Sequence, residues 1–146
     1  MKARTIIGIL VMMCVLVQVA YAGGTDDLKK YFSDTASKVK ATTETTQKRE
    51  ILGKSLQKMS TTLDMVQSSP LISEKDRASL NHFKAALQEK QDELNGSNGF
   101  ARVSDTQLNA FSDYIVQDME QASKTITVTV VTAILIAVIA ILLIAR

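Results

Sequence analysis

The chain has no tryptophan and only one cysteine, one histidine and one proline in 146 residues. Each scarcity removes a class of function. Cys14 lies inside an apolar N-terminal stretch, so the rest of the chain holds no disulfide, thiol nucleophile or thiolate metal site. His82, with Asp76 and Glu89 scattered along the same stretch, is a poor metal set. No nucleophile elbow, phosphate-cradling glycine loop or H-E-x-x-H pattern occurs. No catalytic residue, cofactor or metal is therefore expected, and the chain does not read as an enzyme. Beyond Gly99 there is neither glycine nor proline, which leaves long helices uninterrupted. Aromatic residues make up 5% of the chain, so the core they supply is thin and self-association or a partner would help it.

What is present starts with a leader. Lys2 and Arg4 precede an apolar run over residues 5–19, and Ala20-Tyr21-Ala22 forms a small-x-small site before Gly23. This is the layout of a secretory signal, cut between Ala22 and Gly23, and residues 1–22 are assigned to it. The alternative is an uncleaved signal anchor. Lipid attachment at Cys14 is disfavoured by the bulky Met13 before it. Removing the leader takes Lys2 and Arg4 from 17 basic residues, leaving 15 against 15 acidic ones. A neutral exported chain lacks the basic face that nucleic-acid binding requires.

The second feature is the run from Ile126 to Ala145, with no charge, glycine or proline. A helix of that length covers a hydrocarbon core of about 30 Å and satisfies its own backbone. A transmembrane helix is expected over residues 125–145, with Arg146 as the cytoplasmic end and the middle of the chain facing outward. A glycolipid-anchor signal would need a polar spacer of roughly 8–12 residues, and here a helical pattern continues to Lys124. Within the span Thr129, Ala133, Ala137 and Ala140 make a stripe of small side chains, a possible helix-association face for weak homo-oligomerisation.

Residues 23–124 form the expected exported domain, all-α, a short hairpin or three-helix bundle. Leu28, Tyr31, Phe32, Ala36 and Val39 share one helical face. Leu52, Leu56, Met59, Leu63 and Val66 continue as a short coiled-coil-like seam, so one long helix with a soft threonine-rich middle is expected, two helices being the alternative. Pro70 ends it, and Ser73 to Asp76 resembles a capping box for a second helix bearing Leu80, Phe83, Leu87 and Leu94. Leu56, Leu63, Leu80, Phe83 and Leu87 are the expected hairpin core. A third helix begins at Ser104 and is expected to run unbroken into the span as a rod of about 60 Å. Glu89 and Glu93, beside Lys90, read as solvated surface.

Charge is unevenly placed. Residues 28–58 carry eight basic and three acidic side chains, an excess of +5, while residues 104–123 carry four acidic and none basic. Complementarity between first and third helices, within or between subunits, follows. In layout, heptads leading to a terminal apolar run resemble a tail-anchored fusion helix of the SNARE type. The polar central layer of that type is missing, and a leader would put the helices on the wrong side. The sequence supports a structural, scaffolding or adaptor component of a membrane or envelope complex, with a protein partner. The bacterial inner membrane, facing the periplasm, is the expected location. A ligand-sensing or solute-binding helical bundle is the alternative.

Overall fold

A computed structural model describes residues 25–144, all of whose regular structure is helical. Five α-helices follow one another: α1 (Thr25–Ala41), α2 (Thr45–Gln67), α3 (Glu74–Asn95), α4 (Leu108–Ser123) and α5 (Val128–Ile144). The expected signal-cleavage residues Ala20, Ala22 and Gly23, with Cys14 and Arg146, lie outside the described residues.

The single long helix expected over residues 25–67 is two. Asp26 and Asp27 in the first turn of α1 and Lys38 and Lys40 in its last match the helix dipole. The helix stops where Thr42 turns its hydroxyl back onto the Lys38 carbonyl, at 2.7 Å. Thr42 and Thr43 favour such a stop, being β-branched and able to bond their own backbone. Glu44 is extended, and α2 returns antiparallel to α1. The Tyr31 hydroxyl then donates to the Ser55 carbonyl at 2.8 Å, and Thr35 meets Ser55 hydroxyl to hydroxyl. One rod would have left the apolar faces of both halves unburied on opposite ends. Folding brings them to one core.

α2 ends before residues 68–73, and Ser73 caps α3 by accepting the Asp76 amide at 3.1 Å. Its hydroxyl also donates to the Asp76 carboxylate at 2.9 Å. α3 ends at Gly96, in left-handed backbone at φ 71°. A Cβ there would come within 2.8 Å of Arg102, so the position takes glycine for both conformation and space. A 3₁₀ turn over Asp105–Gln107 leads into α4, and Ser104 makes no side-chain cap to it.

α1 to α4 form an antiparallel four-helix bundle. Lys84 bonds Asp64 between α3 and α2, and Lys29 meets Glu120 between α1 and α4. The core takes one face from every helix, α5 included, and contains Phe32, Leu56, Leu63, Leu80, Phe83, Leu87, Leu108 and Val131. Phe32 and Phe83 meet edge to face at its centre, 6.4 Å between centroids. The Leu52 to Val66 seam is thus spent on the shared core.

The continuous rod from α4 into the apolar run is not formed. Ser123 bonds back to the Glu120 carbonyl, Ile126 turns inward, and Thr127 starts a new helix by accepting the Val131 amide on its carbonyl at 3.0 Å. The tail helix α5 is therefore 17 residues, shorter than the expected span. Among the described residues no helix is long and apolar enough to cross a membrane. α5 instead lies against the bundle, chiefly along α2, with Val130, Val131, Ile134 and Val138 buried.

Candidate functional site

Two ends of the bundle can be distinguished. At the first end lie the start of α1, the 68–73 loop, the start of α3 and the 124–127 link. The Thr127 hydroxyl bonds the Asp76 carboxylate at 3.2 Å and ties the start of α5 to this end. At the other end lie residues 42–44 and the 96–107 connection. There Arg49 donates to the carbonyls of Leu94 and Val103 at 2.8 and 2.6 Å and to Asp105 at 2.9 Å, closing the far end.

The opposed charge blocks meet inside one chain. Lys29 pairs with Glu120 at 3.1 Å, Lys40 with Asp113 at 2.5 Å, and Arg49 with Asp105 at 2.9 Å. The two lysine pairs are largely exposed, so each contributes about 0–1 kcal/mol, whereas the Arg49 side chain is mostly covered. They fix which helix α4 lies beside more than they hold it there.

The least expected polar feature is Lys90. Its side chain is 0% exposed and Glu93 is largely covered, whereas Glu89 is exposed as expected of a solvated face. The Nζ donates to Glu93 at 2.5 Å, Tyr114 at 3.0 Å and Glu89 at 3.4 Å, forms an ion pair with Asp118 at 3.0 Å, and lies 4.2 Å from the Tyr114 ring centre. The ammonium is thus surrounded by acceptors from both helices. Burial alone would lower the lysine pKa, but the bonds to Glu93, Tyr114 and Asp118, with the charge of Asp118, hold it above the ordinary value. An ammonium held this way stays charged and is no nucleophile or base. Its chemistry is structural: it joins α3 to α4.

The other sequence-derived residues fall as follows. Leu56, Leu63, Leu80, Phe83 and Leu87 are all buried in one cluster. His82 is exposed, and among the described residues no group of three or more His, Cys, Asp or Glu could hold a metal ion. On α5, Thr129 is exposed while Ala133, Ala137 and Ala140 are half-buried, and Ala133 and Ala137 pack on the bundle core. Part of the small-residue stripe is therefore occupied by the chain itself.

The remaining face of α5 has no cover. Val128 is 63% exposed, Ile136 63%, Leu143 60% and Ile144 81%. At the same end as the start of α5, Leu71 stands 90% exposed. No protein-family model matches the chain, and neither a curated protein nor a solved structure is significantly similar to it.

Proposed function

We propose that the protein is a small helical scaffold or adaptor of a membrane or envelope complex, exported by its leader and held at a bilayer by its apolar tail. One observation carries this reading: α5 is apolar on every face but docks through one. Of its 17 residues, twelve are Val, Ile or Leu, three Ala and two Thr. A helix that is hydrophobic all round belongs in a large core or a membrane, and this bundle covers one side of it only. Docking shelters the tail in water; hydrocarbon accommodates every face.

Insertion over residues 125–145 requires the turn at Thr127 to become helical. That extends α5 back to Ile126 and brings its length towards the roughly 30 Å of a hydrocarbon core, a remaining shortfall being met by local thinning. The bundle then presents α1 to α4 to a protein partner on the outer face, the periplasmic one in a bacterial inner membrane. The reading assigns no reaction, because the buried ammonium of Lys90 is engaged in holding helices together. Crosslinking in native membranes followed by mass spectrometry tests it. A stoichiometric protein partner joined to the bundle is expected. Absence of any protein crosslink, together with a small molecule that raises the melting temperature, would move the assignment to a ligand-binding bundle.

A further inference from the structure

We infer that the end of the bundle bearing Leu71 rests on the lipid surface and that Leu71 enters its interfacial zone, an inference that depends on the tail being the membrane anchor. The loop that carries Leu71 is built, not slack. Its amide donates to the Ser69 hydroxyl at 3.3 Å, the Ile72 amide to the Ser69 carbonyl at 3.3 Å, and Arg77 to that same carbonyl at 3.3 Å. Ile72 is turned into the core. Its neighbour Leu71 is held the other way, 90% exposed.

Isolated exposed leucines are ordinary on protein surfaces. The position of this one is what carries meaning. Val128, the first residue of α5, is exposed at the same end, and Thr127 is tied there through Asp76. The tail helix α5 thus leaves the bundle at this end, beside the start of α1. Residues 124–127 link α4 to α5, and four residues reach at most about 14 Å when fully extended. A tail in the bilayer therefore leaves this end within about 14 Å of hydrocarbon, and nearer once Thr127 joins the helix, against a headgroup layer of roughly 5–8 Å. That reach brings the 68–73 loop to the layer, and the loop is apolar where it protrudes.

The absence of tryptophan from the chain makes a clean test possible. The full chain is reconstituted in phosphatidylcholine vesicles brominated near the top of the acyl chains, which report on Leu71, and in parallel in vesicles brominated near the chain ends, which report on Ile136 at mid-bilayer depth. Three variants are compared: Leu71→Trp, Phe100→Trp at the far end, and Ile136→Trp in the tail. All three positions are at least 40% exposed in the docked form, so the fold accommodates the new ring. Strong quenching of Leu71→Trp and Ile136→Trp with Phe100→Trp unquenched is the expected result. Quenching of Ile136→Trp alone would leave the anchor standing and overturn the placement of Leu71. Equal quenching of Leu71→Trp and Phe100→Trp would overturn it as well, since the bundle would then lie on its side. An unquenched Ile136→Trp would remove the anchor itself, and the inference with it.

Discussion

Lys90 stands in a row of buried positions, Leu80, Phe83, Leu87 and Leu94, at helical steps of three and four. An apolar residue there would complete the stripe on α3 and leave nothing to select α4 as its neighbour. The lysine instead requires Asp118 and Tyr114, one turn apart on α4, so it specifies which helix packs and in what register. Lys90→Met keeps the volume but leaves Glu93 and Asp118 without their cation. Removing one partner of a buried pair costs ~3–5 kcal/mol; with Asp118 36% exposed, about 1–3 kcal/mol is expected here. The folded pKa is raised, so the contribution is complete below the ordinary lysine range and is lost only as pH rises through the higher folded value. Urea unfolding of wild type and Lys90→Met is expected to differ by the same amount at pH 7 and pH 9. A difference that vanishes by pH 9 would mean the ammonium is not held. The register of Lys90 with Leu87 and Leu94 is visible in the sequence, but its partners on α4 are 24 and 28 residues away, and no local spacing pairs them.

The helices themselves were legible in the apolar spacing, and their ends were legible wherever a specific residue enforces them. Ser73 caps α3, as the capping pattern implies, and Gly96 ends it in left-handed backbone that suits glycine. The breaks at residues 42–44 and 124–127 were not legible as chain reversals, because neither contains glycine or proline. In both, threonine side chains bond the backbone and the burial of two apolar faces drives the turn, which is a tertiary cause. The second break decides how α5 is used. Ile136 sits midway along α5 on its uncovered side. Ile136→Asp should change the unfolding free energy of the docked form by no more than about 0.5 kcal/mol. At the centre of a bilayer the same change costs roughly 3–4 kcal/mol, enough to lower membrane retention by more than about 100-fold. Parallel urea unfolding and vesicle flotation of this variant check the two halves. Unchanged flotation would mean that α5 does not enter hydrocarbon.

For the molecule as a whole, the segregated charges have their use within the chain: a basic first half meets an acidic α4 through Lys29 and Lys40, and the turn before it through Arg49. That leaves the tail as the main surface with unmet needs. It emerges at the end where α1 begins and where Leu71 protrudes. Docked on the bundle it buries Val130, Val131, Ile134 and Val138 and leaves Val128, Ile136, Leu143 and Ile144 exposed. The uniform apolarity of residues 126–145 was legible in the sequence; that one face of it packs on its own bundle was not, since a uniformly apolar helix carries no periodicity to choose a side. Alkaline carbonate extraction of membranes from cells producing the full chain, beside a variant lacking residues 126–146, tests the anchor most directly. The full chain is expected to stay in the pellet and the truncated one to be released; release of both would contradict the assignment of α5 to the bilayer.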